Sequence, residues 1–411
     1  MINKLDIAKE AYQDSLFYRS ILEKTREGVL PDNWESLPII DKKDMVMSPD
    51  LLIVPKQYGR LKPEEVISEC TSGSTGMCLD IVWSRPQMTA SMLPLWALRK
   101  RYYQTRPGDR FCYFYTMHNP LGSENPYEQT ENTLGISKLW LCEETIDEIY
   151  DRIVAFDPEW MLLQPSAAMI LARYIAEYEV PELASLRYIE LSGEMIAQNQ
   201  IQFLKSVFGC DCANQYGANE VNSIAYMCPA GHMHVMESNV YVECVDEEGV
   251  PTQEEGELVV TSLHNRVMPF IRYKIGDYGK IRSTSCTYSS APEIVLTRGR
   301  SNDYILCEDG DVLSAYHLVR VFGCIAVQVD GTVYQYQAVQ EDYRKFTIYC
   351  VTDISPECLE DCFMKSLQSE YLKGSHFTFQ YMDRLLPEKR TGKLAAFRWS
   401  REFYEKIQGE E

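Results

Sequence analysis

The sequence predicts an α/β protein with a large N-terminal domain of mixed sheets flanked by helices, a β-rich subdomain within it, and a small α+β C-terminal domain. Three observations carry this. Between residues 85 and 205 helical and strand-like patterns alternate at the spacing of a largely parallel sheet. From 235 to 285 the pattern changes to short alternating runs separated by turn signals such as Asp246-Glu247-Glu248-Gly249 and Glu254-Glu255-Gly256. Past Gly299-Arg300 the composition shifts to mixed βα segments that end in a charged helix. A chain of 411 residues exceeds one ordinary core, so it divides. We expect an N-terminal domain over 1-298, with the β-rich part at about 235-298, and a C-terminal domain over 299-411.

The elements follow in order. Ala8, Tyr12, Leu16, Tyr18, Ile21 and Leu22 recur near helical spacing, so the chain opens on helices. Glu64–Cys70 reads as a strand leading into Thr71-Ser72-Gly73-Ser74-Thr75-Gly76, and a second apolar run follows. The patterns then predict a helix at Gln87–Arg99, a strand at Phe111–Tyr115, a helix at Thr145–Ala155 and a strand at Trp160–Gln164. A helix at Ser166–Tyr178, a strand at Tyr188–Leu191, the turn Ser192-Gly193-Glu194 and a helix at Ala197–Val207 complete the alternation.

Composition narrows the function. An apolar fraction of 45% with 24% charged residues is that of a globular protein. A formal charge of −20 repels phosphate backbones and anionic lipid, and no basic cluster overrides it, so neither nucleic acid nor membrane is expected as a partner. Met1-Ile2-Asn3-Lys4-Leu5-Asp6 opens no apolar stretch of signal-peptide length, and a cytoplasmic location is expected. Fourteen scattered cysteines then read as reduced thiols, most of them small core residues.

The hexamer Thr71 to Gly76 concentrates hydroxyls and glycines where a backbone can approach an anion. Alone, such a stretch is more often a turn. Met77 follows Gly76 where a Walker loop requires Lys. Four further segments supply partners. Gln215-Tyr216-Gly217-Ala218-Asn219-Glu220 combines a ring that can stack on a base, an amide, and a carboxylate suited to magnesium. Pro269-Phe270-Ile271-Arg272-Tyr273-Lys274-Ile275-Gly276-Asp277 ends on an Asp suited to ribose hydroxyls. Arg298-Gly299-Arg300-Ser301-Asn302-Asp303 and Leu386-Pro387-Glu388-Lys389-Arg390-Thr391-Gly392-Lys393 complete the set.

In order, spacing and identity these segments resemble the adenylate-forming superfamily of acyl-CoA synthetases and adenylation domains, most closely its phenylacetate–CoA ligase-like branch. The resemblance spans about residues 35 to 400. It implies an AMP-forming acid–thiol ligase that activates a carboxylic acid, aryl or otherwise hydrophobic, with ATP and magnesium. The acyl group would pass to coenzyme A, or to the phosphopantetheine thiol of a carrier protein. A nucleotide-binding protein without turnover is the reading of another class; intact Glu220, Asp277 and Lys393 argue against it. The chain runs eighteen residues past Lys393, so no fused carrier is expected, and a dimer is left open.

The implied roles map onto single residues. Thr71, Ser72, Gly73, Ser74, Thr75 and Gly76 would hold the β- and γ-phosphates, and Tyr216 and Gly217 with the Gly193-Glu194 turn would enclose adenine. Asn219 would donate to the α-phosphate, Glu220 would bind magnesium, and Asp277 would take the ribose with Arg300 nearby. Lys393 would bridge the substrate carboxylate and the α-phosphate. The small C-terminal domain would be mobile, turning about a hinge at Asn302 and Asp303 between the two half-reactions. The branch also contains members with a structural zinc, and Cys228, His234, Cys286 and either His232 or another cysteine are offered for it. The segment from Phe111 to Ile136, where relatives shape the acid pocket, departs from their pattern, so the acid itself stays open.

Overall fold

The computed structural model describes residues 3–24, 34–47, 49–70, 79–115, 126–141, 144–196, 198–298, 304–386 and 394–409. The chain forms two compact units, each assembled from two separate stretches: Met1–Pro107 with Ala213–Thr297, and Gly108–Cys212 with Arg298–Glu411. The α/β class holds in both, with helices and sheets throughout.

In the first unit the N-terminal helices Lys4–Asp14 and Leu16–Lys24 bury one face each, as their spacing requires. Asn3 caps the first by accepting from the Leu5 amide. Ile7, Ala8, Ala11, Tyr12 and Tyr18 join a core with Val240, Leu258, Val260, Phe270 and Ile271. Tyr18 is fully buried, yet its hydroxyl is satisfied, donating to the Pro269 carbonyl at 3.0 Å and accepting from the Ile271 amide at 2.9 Å. The first helix pair is thereby tied to the segment that leads to Asp277. Strands Val240–Val245, Gly256–Ser262, Tyr273–Arg282, Glu293–Arg298, Met233–Val235, Asn222–Met227 and Asp211–Ala218 lie in that spatial order. Val66–Cys70 and Asp80–Ser84 pair antiparallel beside the residues that join them.

The second unit carries the predicted parallel strands. Phe111–Tyr115 pairs in parallel with Thr133–Ser137 on one side and Trp160–Leu163 on the other, and Trp160–Leu163 with Tyr188–Ser192. Tyr127–Gln129 adds an antiparallel edge. Phe111, Trp160 and Tyr188 stack across neighbouring strands at 4.4 and 5.7 Å. Helices Ile146–Phe156, Pro165–Glu177 and Gln198–Phe208 match the predicted ones to within about two residues. A separate four-stranded sheet, His376–Tyr381, Lys345–Thr352, Val333–Asp342 and Phe397–Trp399 in order, packs Phe346 and Ile348 against helices Tyr316–Gln328 and Pro356–Ser366. No helix among the described residues is long and apolar enough to cross a membrane.

Candidate functional site

Thr71 to Gly76, Met77, Arg300, Asn302, Asp303 and Lys393 lie outside the described residues, as do residues 116–125 of the acid-shaping segment. The remaining site residues fall in three places, two in the first unit and one in the second.

The first is the turn joining strands Asp211–Ala218 and Asn222–Met227. Antiparallel register pairs Tyr216 with Ala225 and Gly217 with Ser223, with a register shift between Tyr216 and Gly217. Gly217 is required by close approach, because a Cβ there would stand 2.6 Å from the Asn222 carbonyl oxygen. The turn itself is held from behind. Trp83, buried on the strand that leaves the Ser/Thr/Gly hexamer, donates its indole N–H to the Asn219 carbonyl at 3.0 Å. Asn219 is exposed, whereas Glu220 is only 7% exposed.

The strand Tyr273–Arg282 reaches the same turn with two side chains. Tyr216 donates its hydroxyl to Asp277 Oδ2 at 2.6 Å, and Tyr273 donates to Glu220 Oε1 at 3.1 Å. Their backbone is fixed by Arg272, which adopts a φ of 46° and is itself buried. Its guanidinium pairs with Glu243 at 3.2 Å and donates to the carbonyls of Glu35 and Leu37, while its amide donates to Thr261 Oγ1. A residue outside the glycine class holds such a φ only where its surroundings over-determine it. The sequence signals Tyr273 only through its membership of the segment ending at Asp277.

The second place is the Cys/His cluster. Cys228 ends strand Asn222–Met227 and turns tightly, with the Gly231 amide on the Cys228 carbonyl at 2.8 Å. The return strand Met233–Val235 brings back His234, and Cys286 approaches from the loop after Arg282. The ligand atoms of Cys228, His234 and Cys286 lie within 4.8 Å of one another, with the two sulfurs 3.6 Å apart. Nδ1 of His234 donates to the Ala291 carbonyl at 2.9 Å, since a carbonyl can only accept, and the buried Nε2 has no hydrogen-bond partner among the described residues. Burial raises the Cys228 thiol above its ordinary range. At Cys286 a burial penalty is outweighed, chiefly by the Tyr288 amide, and the thiol falls to about 7. His232 is not in this cluster. Its Nδ1 pairs with Glu293 at 3.1 Å, and Glu293 takes the Arg282 guanidinium at 2.9 Å on its other oxygen.

The third place, in the second unit, is the turn after strand Tyr188–Ser192. Gly193 has a φ of 87°, a conformation that reverses the chain without a Cβ penalty. Glu194 then points into a dense set of donors: Lys138 Nζ at 3.1 Å, the Ser166 amide at 2.8 Å, the Ser166 hydroxyl at 3.0 Å and the Leu394 amide at 3.3 Å. Lys138 and Glu194 have side chains 2% and 8% exposed. Burial lowers the Lys138 ammonium below the ordinary lysine range, although Glu194 pulls it back upward. Nothing in the sequence singled out Lys138 or Ser166, whose partners are 56 and 28 residues away.

A family model described as AMP-binding enzyme matches residues 35–268. Protein CapK of Staphylococcus aureus is 22% identical over 394 residues, spanning 93% of this chain and 84% of that protein. The phenylacetate-coenzyme A ligase of Aromatoleum evansii is 25% identical over 316 residues, spanning 72% and 69%. The solved structure of 2-hydroxyisobutyryl-CoA ligase with an acyl-AMP superposes with a TM-score of 0.70 at 15% identity, over 99% of this chain and 90% of that one, which establishes a shared fold. The family's common chemistry is ATP-dependent formation of an acyl-adenylate, with acid–CoA ligases prominent among its members. This chain belongs to the AMP-binding enzyme family, in the phenylacetate–CoA ligase-like branch of the adenylate-forming superfamily.

Proposed function

We propose that this protein is an ATP- and magnesium-dependent acid–thiol ligase acting on an aryl or other hydrophobic carboxylic acid, with coenzyme A as the acceptor. The observation that carries the reading is the paired contact of Tyr216 with Asp277 and of Tyr273 with Glu220, which gathers two of the sequence segments at one turn. Its likeness to phenylacetate-coenzyme A ligase and 2-hydroxyisobutyryl-CoA ligase favours coenzyme A as the thiol.

In this reading the substrate carboxylate attacks the α-phosphorus of ATP and pyrophosphate leaves. A carboxylate is already a nucleophile, so the work is positioning and charge neutralisation, with no general base required. Thr71 to Gly76 hold the departing phosphates and Lys393 bridges the carboxylate and the α-phosphate. Asp277 takes the ribose hydroxyls with Arg300, Tyr216 faces adenine, and Asn219, on the exposed side of the turn, donates to the α-phosphate. Glu220 holds magnesium, which supplies positive charge to the phosphate oxygens; a buried carboxylate without a cationic partner among the described residues suits that task. The domain 299-411 then turns at Asn302 and Asp303, and the thiol attacks the acyl-adenylate and releases AMP. The test is pyrophosphate release with magnesium-ATP across a panel of carboxylic acids, followed by thioester formation with coenzyme A or a phosphopantetheine carrier. ATP binding without pyrophosphate release for any acid would sink the ligase. Transfer only to the carrier would replace coenzyme A. Lys393→Ala should cut adenylation by about 100-fold or more and spare transfer from a preformed adenylate; equal loss in both steps would refute its role.

A structural zinc is the second reading, and the donor chemistry fits it: two thiols, and a buried imidazole nitrogen without a hydrogen-bond partner among the described residues. The cluster supplies three ligands, with His232 engaged by Glu293. Elemental analysis of purified protein should find about one zinc per chain, lost on Cys228→Ser; zinc-free protein refutes the site.

A further inference from the structure

We infer that Tyr273 is a positioning residue for magnesium: its hydroxyl fixes Glu220 by one oxygen and presents the other to the cation. This rests on the reading of Glu220 given above. Tyr273 is 2% exposed and donates to Glu220 Oε1 at 3.1 Å, and this is the one hydrogen bond of the Glu220 carboxylate among the described residues. Neither Lys nor Arg pairs with that carboxylate among them, which distinguishes it from Glu194, Glu243 and Glu293. A carboxylate taken out of water without a cation is costly unless a ligand repays it.

The chemistry of the partner matters. A lysine or arginine at this place would orient the carboxylate but also neutralise it and compete with the metal. A phenol has one proton to donate and no charge, so it fixes the carboxylate plane and leaves the negative charge for a cation.

The phenol is well placed to act as a fixed post. Its backbone pairs with Val260 in the sheet, and the neighbouring amide and carbonyl exchange hydrogen bonds with Ile40 at 3.0 and 2.8 Å. Phe270 packs edge-on against its ring at 5.3 Å, and the buried Arg272 with its unusual φ precedes it. Every one of these restraints acts on the main chain or the ring, which leaves the hydroxyl as the group that Tyr273→Phe removes.

The experiment measures, for the wild type and Tyr273→Phe, pyrophosphate release as a function of free magnesium with ATP and an accepted acid held saturating, and, without acid, the magnesium concentration that half-maximally raises the Tm of the ATP-bound protein; both midpoints should shift together. The inference expects the magnesium concentration at half-maximal rate to rise about tenfold, and the deficit to shrink as magnesium increases. In a Glu220→Gln background the same substitution should produce no further shift. An unchanged magnesium midpoint overturns the inference, as does a uniform fall in rate at every magnesium level. A Tyr273→Phe protein that fails to fold also overturns it, since the hydroxyl then serves the core. A wild type that releases no pyrophosphate is a different result: it removes the ligase reading, and this inference with it.

Discussion

Two buried glutamates on turns at strand ends, one in each unit, are partnered in opposite ways. Glu194 accepts from Lys138, from the amide and hydroxyl of Ser166, and from the Leu394 amide. Among the described residues Glu220 accepts from one neutral phenol. The same residue type thus ends as a saturated anchor in one place and as a carboxylate with spare capacity in the other. A carboxylate whose lone pairs and charge are both matched has little left for a ligand, and its removal is felt by the fold. One held by a single uncharged donor keeps its charge for something else, and its removal should be felt by the chemistry.

Glu194→Gln makes the sharpest test. It leaves the Lys138 ammonium buried without its counter-charge, and we expect a loss of about 3–5 kcal/mol in urea unfolding. Adding Lys138→Met should recover more than half of that. A loss below about 1 kcal/mol would break the contrast. The pair also has a pH signature. The folded state releases the Lys138 proton below the range in which an unfolded lysine does so, near 10.4. Between the two, the unfolded chain binds more protons, so stability rises with pH there, and Lys138→Met should remove that alkaline rise. Unfolding midpoints from pH 8 to 10.5 would measure it.

Glu220→Gln should do the reverse. The Tyr273 bond survives on the amide oxygen, so stability should stay within about 1 kcal/mol while adenylation falls by about 100-fold. A comparable loss of stability would make Glu220 another anchor. Smaller in effect is chelation: treatment with a strong chelator should lower the Tm by several degrees if the Cys228, His234 and Cys286 cluster carries metal, and Cys228→Ser should abolish the response. An unmoved Tm would leave the cluster as packing. The least change is expected from Tyr216→Phe, which removes the donor to Asp277 and should raise the KM for ATP about fivefold with little effect on kcat.

Much of the second unit was legible because its strands are short, apolar and separated by amphipathic helices. Phe111–Tyr115 was read to the residue, and helix Ile146–Phe156 to within one. Strand Thr133–Ser137 was not read at all. It is interrupted by Gly135, whose missing side chain makes room for the Tyr113 ring, and that need is visible only with both strands in place. The site was legible as a set of segments in order, because glycines, hydroxyls and carboxylates at fixed spacing are local features. The choice between His232 and His234 was not, since both sit in the same short sequence. Which ring faces the thiols depends on where the strand begins: His234 lies within Met233–Val235, whereas His232 precedes it and pairs with Glu293.

From the sequence alone came the α/β class, the family and the ordered motif segments, because periodicity and motif spacing are properties of neighbours along the chain. Tertiary structure alone decided which distant stretches share a unit, which histidine joins the thiols, and which of two glutamates meets a lysine and which a phenol. Those outcomes turn on donors dozens of residues away, whose approach is set by packing and by the cost of leaving a buried charge unmatched.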